Sequence, residues 1–245
     1  MNNKVVSVSN LSHSFEQTEV LKDISFDLNK NEFITFIGPS GYGKSTLFKV
    51  LTKLIINYSG TISIQNIQLD SYNNSLGYMP QKDLLLPWRT LYKNIILPLE
   101  LKNEQIDQDH IYELIKTFGL EGFEEFYPHQ LSGGMKQRAA LLRTFLMSND
   151  IVLLDEPFAA LDYLTKRKLQ SWLKDIFVKL DKSALFITHD IEEAINLSDR
   201  IIVLSALPAS ILEVIDVKDI DSFGTNKEVL EKYNLIKQNI IQLIG

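Results

Sequence analysis

Residues 38–46 read GPSGYGKST, and their neighbours fix what the stretch is. Before it stands EFITFIG, a compact apolar strand ending in glycine, and the following KSTLFKVLTKL has the pattern of a helix. A strand passing through Gly-x-x-x-x-Gly-Lys-Ser into a helix has the form of a phosphate loop. Its glycines let backbone N–H groups wrap phosphate oxygens, and the helix start carries partial positive charge. Gly38, Gly43, Lys44 and Ser45 hold the defining positions. Lys44 is placed to reach β- and γ-phosphates, and the Ser45 hydroxyl to ligate Mg2+. A plain glycine-rich turn with an exposed lysine is the competing reading, and the flanking strand and helix weigh against it.

The rest of the chain supplies the sheet such a loop needs. VVSVSNLSHSF and EVLKDISFDLN read as strands by alternation and β-branching, GTISIQNIQL resumes the strand pattern, and SLGYMPQ is a short strand ending at Pro80. DIVLLDE, SALFITHD and DRIIVLSAL are apolar strands separated by helical segments, which implies a largely parallel buried sheet. Over 84–148 the texture turns helical. NEQIDQDHIYELIKTFGL places Ile111, Leu114, Ile115 and Phe118 on one face, and SGGMKQRAALLRTFLMS runs on as a helix after its glycines. The expectation is one α/β domain over 1–245. Its core spans about 1–83 and 149–225, with a mixed, largely parallel sheet and an antiparallel N-terminal β part. A helical subdomain is inserted over about 84–148, and an amphipathic helix closes the chain over about 226–244.

Composition narrows the classes. Acidic residues outnumber basic ones 31 to 25, for a net charge of −6, which disfavours broad phosphate-backbone binding and so nucleic acid as a partner. Cysteine is absent, which excludes disulfides, zinc–thiolate sites and thiol catalysis and fits a reducing cytoplasm. MNNKVVSVSN has no apolar signal core, and no run of about 18 apolar residues exists to span a membrane. If the chain acts at a membrane, another chain is expected to hold it there.

Three further stretches carry chemistry. IVLLDEP, 151–157, ends an apolar strand in two acids, where ligands sit in α/β sheets. There Asp155 suits a magnesium shell and Glu156 can orient or deprotonate water; alone, the pair also reads as the acidic start of a helix. His189 ends the strand SALFIT, placed to donate a hydrogen bond to a γ-phosphate; alone, such a histidine reads as structural. LSGGMKQR, 131–138, brings a serine and two glycines into a polar helical run: a second anion-favouring stretch, or by itself a helix N-cap.

GPSGYGKST, Gln81 after GYMP, LSGGMKQR, IVLLDEP, AALD at 159–162 and THD at 188–190 stand in an order and spacing that resemble the ATP-binding cassette (ABC) family of ATPases over about residues 4–205. The resemblance implies a P-loop NTPase core, with ATP and Mg2+ as cofactors. It assigns ATP to Gly38, Pro39, Ser40, Gly41, Tyr42, Gly43, Lys44, Ser45 and Thr46, the metal to Ser45, Gln81 and Asp155, and catalysis to Glu156, His189 and Gln81. It also implies two cassettes head to tail, so that Ser132, Gly133 and Gly134 of one copy complete the other's ATP site. Asp162 would contact the opposite subunit, and it also reads as an N-cap for YLTKRKLQSWL. Phe15 stands where the family usually stacks adenine on tyrosine; it keeps the ring and loses the hydroxyl, and it also reads as a core aromatic. Gln81 reads equally as a polar loop residue after proline, and Tyr42 is unusual inside such a loop.

KDLLLPWRTLYKNIILPLE, 82–100, is similar to importers of the nitrate, sulfonate and taurine type. That resemblance implies integral membrane permease subunits, an external solute-binding protein, and a peripheral place on the cytoplasmic face of the cell membrane. The same leucines also read as packing between subdomains. A split exporter and a soluble non-transport ABC ATPase remain as alternatives.

Overall fold

A computed structural model describes residues 3–39, 41–74, 76–147, 150–159, 161–218 and 227–244. In chain order its strands and helices are β1 Lys4–Phe15, β2 Thr18–Asn29, β3 Phe33–Ile37, α1 Lys44–Leu51, β4 Ser59–Ile64, β5 Ile67–Gln68, β6 Gly77–Met79, α2 Leu91–Ile95 and α3 Leu97–Lys102. There follow α4 Gln108–Thr117, α5 Gly133–Met147, β7 Ile151–Asp155, α6 Tyr163–Lys179, β8 Ser183–Thr188, α7 Ile191–Leu197, β9 Arg200–Leu204, β10 Ile211–Asp216 and α8 Lys227–Ile244. Two compact units divide the chain: 1–74 with 170–245, and 75–169.

The first unit holds an antiparallel sheet in the order β2-β1-β4-β5, and the parallel strands β9-β3-β8 with β10 antiparallel at the β9 edge. All five residues of β3 and all six of β8 are buried, as expected for parallel strands covered on both faces. Phe36 of β3 packs edge-on to Phe26 of β2 at 5.0 Å and to Phe48 of α1 at 6.4 Å. Phe36 and Phe48 are fully buried, each contributing roughly 1.5–3 kcal/mol of transfer free energy. A second cluster joins Ile37, Ile201 and Val203 to Ala194 and Ile195 of α7 and Ile236 and Ile240 of α8.

Two details differ from the sequence reading. GTISIQNIQL is interrupted: Gln65 and Asn66 have φ of 49° and 64°, which closes a tight turn between β4 and β5. ILEVID, unassigned in the sequence, is the strand β10, with a mostly alternating half-buried and exposed pattern typical of an edge.

In the second unit β6 pairs in parallel with β7, Tyr78 opposite Leu153. Ile111, Ile115 and Phe118 are buried and Leu114 half-buried, the face expected from their spacing. Phe118 meets Phe145 of α5 edge-on at 5.8 Å. Asn94 of α2 is fully buried and clamps the loop before it. Its Nδ2 donates to the carbonyls of Leu86, Arg89 and Thr90 at 3.0–3.1 Å, and its Oδ1 accepts from Leu86 N at 2.7 Å. Arg143 of α5 donates to the carbonyls of Asp83 and Leu84 at 2.5 and 2.8 Å. The loop so held presents Leu84, 57% exposed, and Trp88, 72% exposed. Among the described residues, no helix is long and apolar enough to cross a membrane.

Candidate functional site

The phosphate loop leaves β3 at Ile37 and enters α1 at Lys44. Gly43 caps α1 with φ +85°, and a Cβ there would stand 2.9 Å from Val20 Cγ1 and 3.2 Å from Leu21 Cδ2. At the other end a Cβ on Gly38 would stand 2.9 Å from the carbonyl oxygen of Leu204. Both glycines are therefore required by close approach, and Gly43 also by its left-handed backbone. Lys44 is 5% exposed, and its Nζ donates to the carbonyls of Gly38 and Pro39, both at 2.7 Å. The cation is thus folded back over the loop. Ser45 and Thr46 lie partly buried in the first turn of α1, Gly41 is exposed at φ +83°, and Tyr42 is half-buried. Ser40 lies outside the described residues.

Two other candidates sit on this first unit. Phe15, at the end of β1, is 49% exposed and packs edge-on to the buried His13 at 4.5 Å, so it is a surface ring rather than a core aromatic. His189 follows β8 directly and is exposed.

The second unit carries the acids. Asp155 ends β7, 5% exposed, and its Oδ2 accepts from Tyr78 Oη at 3.3 Å. Burial, with the Asp155 charge beside it, pushes the Tyr78 phenol well above its ordinary value. Glu156 has φ +46°, a left-handed backbone uncommon for a residue with a side chain and of the kind that collects at functional sites. Gln81, exposed after β6, donates from Nε2 to Glu156 Oε2 at 3.2 Å. The structure thus brings Gln81 and Glu156 together and adds Tyr78, which the sequence reading missed because only the fold brings it to Asp155.

The signature stretch and Asp162 share this unit. Ser132 Oγ accepts from Met135 N at 3.3 Å at the start of α5, and Asp162 Oδ1 accepts from Thr165 N at 3.1 Å at the start of α6. Both are helix caps, as one of the two sequence readings had it. Hydrogen bonds from the Thr165 side chain and then from its backbone N–H hold the Asp162 carboxyl below its usual range. A Cβ on Gly134 would stand 3.1 Å from Thr165 Cγ2, so the two helix starts are neighbours, with Ser132 and Gly133 exposed beside them.

A family model described as ABC transporter matches residues 21–159, from within β2 through the Asp155–Glu156 pair. The chain belongs to the ABC transporter family. It is 41% identical, over 87% of its length and 86% of the relative's, to the aliphatic sulfonates import ATP-binding protein SsuB of Bacillus cereus. It is 44% identical, over 77% of its length and 74% of the relative's, to the formylaminopyrimidine import ATP-binding protein ThiZ of Halalkalibacterium halodurans. Among solved structures it is similar to the dimeric ATP-binding cassette MJ0796 in a post-hydrolysis state bound to ADP and Pi, with a TM-score of 0.73 and 28% identity over 86% of this chain and 98% of that one.

Proposed function

We infer that this ABC transporter chain is the ATP-binding and ATP-hydrolysing subunit of an importer, and that it works as a pair of copies enclosing ATP between them. Glu156 carries this reading. It stands one residue beyond a buried aspartate, on a left-handed backbone, with its carboxylate held by Gln81. A carboxylate fixed in this way can take a proton from water. The water oxygen bonds to the γ-phosphorus, the bond from that phosphorus to the bridging oxygen breaks, and the electron pair leaves with ADP. Lys44 and the loop N–H groups bind the phosphates, and His189 donates to a γ-phosphate oxygen. Ser132 and Gly133 serve the ATP of the opposite copy, Asp162 meets that copy, and Phe15 stacks on adenine.

The donors assigned to the metal are the Ser45 hydroxyl, the Gln81 amide oxygen and the Asp155 carboxylate, an all-oxygen set that suits Mg2+. When bound, the ion neutralises charge on the β- and γ-phosphates. The division into a core over 1–83 and 149–225, a helical subdomain over 84–148 and a closing helix over 226–244 belongs to the same proposal.

Partners follow from the clamped loop. Leu84 and Trp88 are exposed apolar side chains on a loop whose backbone Asn94 and Arg143 fix, a rigid contact for a permease subunit at the cytoplasmic face of the membrane. The import proteins SsuB and ThiZ support uptake as the direction of transport, with an external solute-binding protein as a further partner. The test is co-expression with an importer permease, followed by affinity capture and phosphate release from Mg-ATP. The full chain is expected to be captured and to hydrolyse ATP, and Trp88→Asp to lose capture while keeping hydrolysis in the isolated chain. A chain that releases no phosphate from Mg-ATP overturns the reading.

A further inference from the structure

Glu193 is a carboxylate on α7 with only 3% of its surface exposed, and the chemistry above makes no use of it. Each of its oxygens accepts a hydrogen bond from a different element: Oε1 from Gln170 Nε2 of α6 at 3.3 Å, and Oε2 from the Thr188 hydroxyl at the end of β8. Gln170 and Thr188 are themselves buried, at 5% and 2% exposed. A hydroxyl has one proton. With that proton given to Glu193, Thr188 Oγ1 is left as an acceptor, and it takes the backbone N–H of Asp190 at 3.0 Å. Asp190 in turn caps α7, accepting from Glu192 N at 2.9 Å and Glu193 N at 3.2 Å. The residues on both sides of His189 are thus fixed in one closed network, and His189 is the exposed residue it presents.

We propose that Glu193 is a positioning residue for ATP hydrolysis: through Thr188 it sets the β8–α7 turn and so the place of the His189 imidazole. The inference rests on the reading of His189 as a γ-phosphate donor. A carboxylate suits the position because it only accepts, and both Gln170 Nε2 and the Thr188 hydroxyl donate to it. In Glu193→Gln the new amide N–H2 would face either the Gln170 amide or the Thr188 hydroxyl as a second donor. Where it faces Thr188, that hydroxyl becomes the acceptor, its proton would turn toward the Asp190 N–H, and the turn would loosen. Small displacements of this kind at a reacting group are costly, up to roughly 100-fold in rate for about 1 Å.

The experiment measures kcat and ATP affinity on the full chain, alone and in the His189→Ala background. Glu193→Gln and Thr188→Val are expected to lower kcat by about tenfold or more while ATP affinity stays within about twofold. Thr188→Ser, which keeps the hydroxyl, is expected to recover most of the rate lost in Thr188→Val. In His189→Ala the Glu193→Gln change is expected to cost less than about twofold further, because residues acting as one unit are not additive. A purely structural carboxylate would give the same loss in both backgrounds, and that result overturns the inference even if both variants are folded. Full kcat in His189→Ala is a different failure: it removes His189 from the reaction, and the inference with it.

Discussion

Gln81 donates from Nε2 to Oε2 of Glu156 over 3.2 Å, tying the segment after β6 to the acid at the end of β7. The donor is neutral, so this bond orients the carboxylate without adding a charge of its own. Glu156→Gln keeps the shape and removes the basicity. Hydrolysis is expected to slow by roughly 10²–10⁴, as for loss of a general base, while ATP binding persists. On the proposed reading, in which the pair of copies opens only after cleavage, an ATP-bound dimer should build up, visible by size-exclusion chromatography with ATP, with and without Mg2+. A variant that stays monomeric and turns over normally would shift the role to His189.

Lys44 spends its ammonium on the Gly38 and Pro39 carbonyls. Lys44→Ala removes the one cation of residues 38–46, proposed to bind phosphate. Nucleotide affinity is expected to fall by about 10- to 100-fold, the range for a hydrogen bond to a charged group. Isothermal titration with ATP reads this, and a circular dichroism spectrum like that of the parent separates it from unfolding.

Ser132 is exposed at the start of α5. Ser132→Arg is expected to spare ATP binding to a single copy and to abolish hydrolysis. Mixed with Lys44→Ala chains, it should recover part of the activity, because in the mixed pair both defects fall on one composite site and the other is intact. Equal loss of monomeric ATP binding by both variants would place the serine on its own chain's nucleotide instead.

The raised Tyr78 phenol has a pH signature. An unfolded tyrosine ionises near 10.0, and the folded one stays protonated to higher pH because of burial and the Asp155 charge. Below pH 10 both states hold the proton, so this group's contribution is constant. As pH rises beyond 10 the unfolded chain loses its proton first, and stability falls. Urea melts across this range should show the fall, and Tyr78→Phe should make it shallower, leaving the share of the raised Tyr58 and Tyr92 phenols, at a cost of about 1 kcal/mol at neutral pH for the lost hydrogen bond.

The phosphate loop was legible in the sequence because its glycines, lysine and flanking patterns all point to one local structure. The face of α4 was legible for a similar reason: Ile111, Ile115 and Phe118 repeat at helical spacing. β10 was not, since ILEVID is a short edge strand buried along only part of its length. Asn94, Arg143 and Tyr78 were invisible because their partners are backbone carbonyls or a carboxylate brought close only by the fold. The left-handed backbone of Glu156 had no sequence signal either, as a glycine or asparagine would have given one. At Ser132 and Asp162 the sequence offered two roles, and the capping role is the one internal to the chain.

The phosphate loop hangs like a bridge deck between two abutments. One bank is Leu204, at the end of β9, against Gly38; the other is Val20 and Leu21, in the antiparallel sheet, against Gly43. Neither bank has slack, so the distance between the two sheets sets the curvature of the deck. A bulkier side chain at Val20, which touches no phosphate, would therefore be felt first as an altered grip on nucleotide. The antiparallel sheet is in this sense a tuning peg for the loop.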